Sequence, residues 1–256
     1  MKKPIADLHT HTLASGHAYC TIQEMAQAAA DKGLKMLGIT EHGPMVPGSC
    51  HPIYFENYKV IPRNFKGVYL LLGAEMNIID YDGSVDLKAS SMRWCDIGIA
   101  GIHYNVSYTS GSKAENTRAY CKAMENPNVD IISHPDDARV PVDYEQLVLA
   151  SRDCGKLLEL NNASLNPLNV RAKGGSAENI RIMLKYCEKY GVPLTMNSDA
   201  HYSTEVGEVG NIQTILEEVQ FPEELIVNNS VEAVLRHLHH FSGILIPEML
   251  VQTRDF

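Results

Sequence analysis

The chain has 256 residues, 45% of them hydrophobic, and a formal net charge of −9 from 22 Lys and Arg against 31 Asp and Glu. That length and apolar content can bury one sizeable core, and a single α/β barrel commonly has this size. The acidic balance argues against the broad electrostatic attraction on which nucleic-acid binding rests, so no stable nucleic-acid complex is expected, though a local basic pocket for a phosphate is compatible with it. Six cysteines form no C-x-x-C pair, which removes zinc-ribbon and thioredoxin-like readings. Apolar runs stop well short of the roughly 20 residues of a membrane helix. The basic start, Met1 to Pro4, leads into a polar strand where a signal peptide needs an apolar core, so a cytoplasmic protein is expected.

Ile5 to Thr12 reads as the first strand, and strict alternation along it puts Asp7, His9 and His11 on one face. A polar loop with His17 follows, then a capping box, Thr21 to Glu24, opening an Ala-rich helix that ends at Gly33. The second strand spans 35–40 and is left through Glu41-His42-Gly43. Residues 44–62 read as a long loop with at most short helix. Residues 68–74 are almost continuously apolar, as in a parallel strand covered on both faces, and Glu75 stands at the exit. Residues 95–102 form a fourth strand ending at His103, and 129–133 a fifth ending at His134-Pro135. Residues 156–160 make a sixth ending in Asn161-Asn162, and 193–197 a seventh leading to Asp199 and His201. Helices are predicted over 114–125, 144–154, 176–190, 211–219 and from 230 to about 240. One domain over 1–243 carries a short apolar tail, 244–256, expected to dock on the barrel or on a neighbouring subunit.

Strands alternating with helices predict a largely parallel sheet. Ligand-type residues fall at the ends of nearly all strands and not at one switch point, which favours a closed or nearly closed barrel. His9, His11, His17, His42, Glu75, His103, His134, Asp199 and His201 then face one rim. Nine donors exceed the four or so ligands of one zinc ion, so two or three metals are expected, with Glu75 the natural bridge. A thiolate-free, imidazole-rich set suits Zn, Mn or Fe. Taken singly, each histidine is more often a capping or hydrogen-bonding residue; the joint pattern reverses that. Asp7 is expected to orient His9 or His11 as an acceptor. His51, His237, His239 and His240 are left out as surface residues.

Asp-Leu-His-Thr-His-Thr (7–12), Ile-Thr-Glu-His-Gly (39–43), Gly-Ala-Glu (73–75), Gly-Ile-His (101–103), Ser-His-Pro (133–135) and Ser-Asp-Ala-His (198–201) resemble the ordered motifs of the PHP (polymerase and histidinol phosphatase) family, closest to its YcdX-like phosphatase group. The resemblance implies a distorted seven-stranded (β/α) TIM-like barrel with three divalent ions of zinc type. It also implies His9, His11, Glu75 and Asp199 on one ion, His17, His42 and His201 on a second, and Glu75, His103 and His134 on a third. It points to a homo-oligomer.

Such a centre supports metal-assisted hydrolysis of a small phosphomonoester by a metal-activated hydroxide, with Glu75 and Asp199 as the catalytic carboxylates. Arg139, Arg171 and Lys173 are the candidate cations for the substrate phosphate. Three readings compete. An amidohydrolase would want a ligating lysine, and none stands at a strand exit. A phosphodiesterase or exonuclease sits poorly with the acidic balance. A metal-binding regulatory protein would hold metal without turnover.

Overall fold

Alternation of apolar strand and amphipathic helix carries through into the computed structural model, which describes residues 2–104, 106 and 110–238. The strands are β1 (Ala6–Thr10), β2 (Met36–His42), β3 (Asn64–Phe65), β4 (Val68–Asn77), β5 (Ile97–Gly101), β6 (Ile131–Ile132), β7 (Leu157–Asn161) and β8 (Leu194–Asn197). The helices are α1 (Ile22–Asp31), α2 (Ile53–Glu56), α3 (Ala89–Met92), α4 (Lys113–Met124), α5 (Tyr144–Cys154), α6 (Val170–Gly174), α7 (Ser176–Tyr190), α8 (Gly210–Glu218) and α9 (Val231–Arg236). Seven strands run parallel in the order β1-β2-β4-β5-β6-β7-β8, and β3 folds back antiparallel on the start of β4. This is the distorted (β/α)7 barrel, in one domain. The tail 244–256, with His239 and His240, lies outside the described residues.

Local signals explain the boundaries. Thr21 and Glu24 form the reciprocal capping box at α1, and Gly155 and Gly191 close α5 and α7 in the left-handed region. Two strands outrun their predicted ends: β2 continues through Glu41 to His42, and β4 through Glu75 to Asn77. Polar residues continue these strands because each finds a partner: His42 and Glu75 meet in the interior, and Glu41, on the outward row of Leu37 and Ile39, accepts from Thr12 and Ser15. β3, α3 and α6 were not expected; each has five residues or fewer and so carries little periodicity.

The interior is divided in height. Ala6, Leu8, Met36, Tyr69, Leu71, Ile97, Ile99, Ile131 and Leu157 fill its lower half, closed from below by Val227, Val231, Val234 and Leu238. The intervening strand residues, among them Leu37, Ile39, Leu70, Leu72, Ile132 and Leu158, pack outward against the helices. Two steps of two residues above the lower layer, the same inward-facing rows reach Glu75, His103 and Asn161. The sequence thus switches from apolar to ionisable at one level of the barrel.

β1 and β8 meet at an irregular seam. Near the rim, His11 N–H donates to Ala200 O at 2.9 Å and Asp199 N–H to His9 O at 3.0 Å. Lower down the Asn228 side chain takes the place of a strand. It donates to Ala6 O (3.0 Å) and Met196 O (2.8 Å) and accepts from Met196 N (2.8 Å) and Thr195 Oγ1 (3.0 Å). The barrel is closed here by an amide side chain and not by a continuous ladder.

Candidate metal centre

The strand register builds the site. β2 and β4 pair with His42 opposite Glu75, which leaves His42 Nδ1 at 2.8 Å from Glu75 Oε2. Glu75 is wholly buried and central: His9 Nε2 lies 3.2 Å and His11 Nε2 3.5 Å from Oε2, while His134 Nε2 lies 2.9 Å and His103 Nε2 3.3 Å from Oε1. Asp199 comes in from the far side of the seam, its Oδ1 3.3 Å from His11 Nε2 and 3.6 Å from His9 Nε2. His17 and His201 complete the rim, with their Nε2 atoms 3.0 Å apart. All nine donors expected from the sequence converge on one basin.

Two of them stand on unusual backbone. His134 has φ 31° and Asp199 φ 56°, a region that costs a non-glycine residue free energy unless its surroundings impose it. Here the Glu159 carboxylate holds the His134 N–H at 2.9 Å, and His9 O holds that of Asp199. Gly101 makes room for His134. A Cβ there would lie 2.3 Å from Ser133 Oγ and 3.0 Å from His134 Cε1.

Asp7 is corrected by the structure. β1 carries one extra residue relative to β2 between Asp7 and Thr10, which interrupts the alternation. Ala6 and Leu8 face the interior, and Asp7 turns away from it to accept from Ser198 N (3.1 Å), Ser198 Oγ and Gly207 N (2.8 Å). It pins the segment bearing Asp199 and His201 and orients neither imidazole. That work falls to two carboxylates the sequence reading passed over. Glu159, on β7, accepts from His9 Nδ1 at 2.8 Å. Glu41, on β2, accepts from Thr12 N and from Ser15 Oγ (2.6 Å), and Ser15 Oγ in turn contacts His11 Nδ1 and the His42 N–H, each at 3.0 Å. A charged residue inside Leu-Leu-Glu-Leu-Asn, an otherwise apolar buried strand, was the available signal for Glu159.

Of the candidate phosphate cations, Arg171 Nη2 lies 3.2 Å from Asp199 Oδ2. Arg139 grips Asp137 through two nitrogens and lies over the Tyr104 ring at 5.0 Å. Both line a cavity of about 320 Å³ above the basin, with His17, His42, His103, His134, Asp199 and His201. Lys173 is exposed and is absent from the cavity wall.

The electrostatics match a cation-binding basin. Burial, reinforced by His42 and His201, pushes His11 well below the usual histidine range. Burial likewise brings His42 down to about 4 and lowers His17 and His134, so these rings are neutral, the form that binds metal. Burial works against the Glu75 carboxylate, yet the imidazoles around it, His9 first, hold it well below its ordinary value. Glu75 Oε2, Asp199 Oδ1 and His134 Nδ1 are buried without a hydrogen-bond partner. Orphaned carboxylate oxygens beside neutral imidazoles are what a bound cation would satisfy. Three triads have ligand atoms within 4.8 Å of one another: His9, His11 and Asp199; His11, His42 and His201; and His42, Glu75 and His103.

Comparison with known proteins adds three findings. The PHP-domain family model matches residues 7–164. A probable phosphatase of Caldicellulosiruptor saccharolyticus is 44% identical over 232 residues, covering 91% of this chain and 95% of its own; one of Clostridium novyi is 42% identical over 236 residues, covering 92% and 95%. Among solved structures, histidinol phosphate phosphatase from Lactococcus lactis, complexed with zinc, L-histidinol and phosphate, aligns with a TM-score of 0.59. That alignment covers 86% of this chain and 95% of the other at 17% identity, a likeness of fold.

Proposed function

Since this chain belongs to the PHP domain family and is a metal-dependent hydrolase, we propose that it is a phosphoesterase acting on a small phosphomonoester at a centre of three divalent ions, most naturally zinc. One observation carries the reading: the Glu75 carboxylate stands amid five imidazoles, two of them shared with Asp199, beneath a small cavity whose wall holds two arginines.

The triads support the assignment of ligands. His9, His11, Glu75 and Asp199 would hold one ion; His17, His42 and His201 a second; and Glu75, His103 and His134 a third. The compact groups overlap these sets, with His11 beside His42 and His201, and His42 beside Glu75 and His103. When bound, the ions supply Lewis acidity, offsetting charge on phosphoryl oxygens and acidifying water.

The chain's own residues do the rest. Asp199 Oδ2 is held by Asn161 Nδ2 (3.1 Å) and Arg171, so Oδ1 faces the basin, where it orients the attacking water. The Arg171 guanidinium, 3.2 Å from Oδ2, favours the anionic, accepting form of Asp199. Arg171 and Arg139 face the substrate phosphate from the cavity wall, the second oriented by Asp137, which takes its Nε and Nη2 and leaves Nη1 for the phosphate. Water adds to phosphorus, the P–O ester bond breaks, and the alkoxide leaves with a proton as the free alcohol. A cavity of about 320 Å³ and a net charge of −9 favour a small ester over a polynucleotide.

The test is metal quantification on the purified chain together with a phosphoester screen with and without chelator. Near three ions per chain and chelator-sensitive phosphate release are expected. Metal without turnover on any phosphoester would favour a binding role, and one ion or none would overturn the trinuclear reading.

A further inference from the structure

β7 is the barrel strand that offers no ligand to the proposed centre, yet its two inward-facing polar side chains touch three residues that do. Glu159 Oε1 takes His9 Nδ1 (2.8 Å) and Asn197 Nδ2 (2.8 Å); Oε2 takes the His134 backbone N–H (2.9 Å) and Asn161 Nδ2 (3.0 Å). Asn161 passes the same amide on to Asp199 Oδ2 at 3.1 Å. Glu159 is fully buried, so these four donors are its surroundings.

The donor directions are fixed independently of Glu159. Asn197 Oδ1 accepts the Leu8 N–H at 2.9 Å and Asn161 Oδ1 the Ser164 N–H at 3.0 Å. Backbone N–H groups can only donate, so each amide must present its NH₂ to the carboxylate. An ionised carboxylate can only accept. His9 must therefore carry a proton on Nδ1, and in the neutral ring that binds metal the Nε2 lone pair is aimed at the basin between His11 (3.0 Å), Glu75 (3.2 Å) and Asp199 (3.6 Å).

We propose that β7 is the positioning strand of the metal centre. Glu159 fixes His9 as the Nδ1–H tautomer, so that Nε2 is the ligand atom, and the same carboxylate holds His134 in its left-handed backbone conformation. The pair Glu159 and Asn161 thereby links ligands assigned to two different ions. This rests on the metal-centre reading above and assigns Glu159 no contact with metal or substrate.

Glu159→Gln is the discriminating variant, because it keeps the shape and inverts one end. The His134 N–H cannot change, so the amide oxygen stays with it and the new NH₂ faces His9 Nδ1. His9 must then accept at Nδ1 and carry its proton on Nε2, which blocks the ligand atom. In zinc titrations read by calorimetry and metal analysis, the variant should lose one ion, or bind it at least tenfold more weakly, while retaining the others and its circular-dichroism spectrum. The second measurement uses wild-type protein loaded with zinc and labelled with ¹⁵N-histidine. His9, assigned by the signal missing in His9→Asn, should show a protonated Nδ1 and a metal-bound Nε2. Unchanged stoichiometry and affinity in Glu159→Gln, or an unprotonated Nδ1 in the wild type, would overturn the proposal. A wild-type chain that binds no zinc would overturn the metal centre beneath it.

Discussion

Replacing Asn228 by Ala in chelated protein should open the β1/β8 seam, and its cost can be worked from the hydrogen bonds. The side chain makes four bonds of 2.8–3.0 Å, to Ala6 O, Met196 O, Met196 N and Thr195 Oγ1, in a fully buried position. A typical bond is worth about 1 kcal/mol net, and each buried backbone group left without a partner costs about 1–3 kcal/mol. Water entering the gap can recover part of that. A loss of about 4 kcal/mol follows, a large share of the 5–15 kcal/mol or so that holds an ordinary domain together. At roughly 2–4 °C per kcal/mol for a chain of this size, the melting temperature should fall by about 8–16 °C. Urea denaturation followed by circular dichroism gives the free energy directly. A loss under about 1.5 kcal/mol would mean the seam is held by other contacts and that the strand-like role given to Asn228 is mistaken.

Arg139→Ala should raise KM for phosphoesters about tenfold, the equivalent of one charge-assisted contact of about 1.4 kcal/mol, with metal content unchanged. Unchanged kinetics would remove it from substrate binding. Gly101→Ala should cost at least one ion per chain by metal analysis, because its Cβ would lie 3.0 Å from His134 Cε1 and 2.3 Å from Ser133 Oγ; full occupancy would show that β5 can yield. Chelation should lower the melting temperature, since ligand at 1,000 times its dissociation constant stabilises the folded state by about 4 kcal/mol. A melting curve indifferent to chelator would argue against a structural hold on the ions.

The barrel and the basin were legible because both depend on rules a sequence displays openly. Parallel strands buried on both faces read as apolar runs, as in Val68 to Ala74, and strand exits are where a barrel gathers its chemistry. What stayed hidden depended on a single residue's backbone or on partners remote in sequence. The bulge in β1, between Asp7 and Thr10, separates Asp7 from the face of His9, and a period-two reading has no means of anticipating one inserted residue. Glu159 meets His9 across 150 positions, and Asn228 meets Ala6 across 222. Lys173 was placed by loop order alone, and a loop's order says little about which of its side chains turn inward.

The division of the interior explains why the seam and the site belong together. Burying His9, His11, His42, His134, Glu75, Glu159 and Asp199 in one basin, with Glu41 behind it, forfeits hydration that pairing only partly returns. The apolar lower half, plugged by Val227, Val231, Val234 and Leu238, supplies the compensating burial. Yet the basin itself straddles the barrel's weakest join, with His9 and His11 on β1 and its extension, and Asp199 and His201 on the segment leaving β8. Any cation bound between those two pairs would draw the edges together and make occupancy and closure linked equilibria. The contribution of Asn228 is therefore masked in loaded protein, and in the chelated chain it shares the seam with the rim's two backbone bonds, the Leu8 N–H to Asn197 Oδ1 bond and the bonds of Ser198 to Asp7.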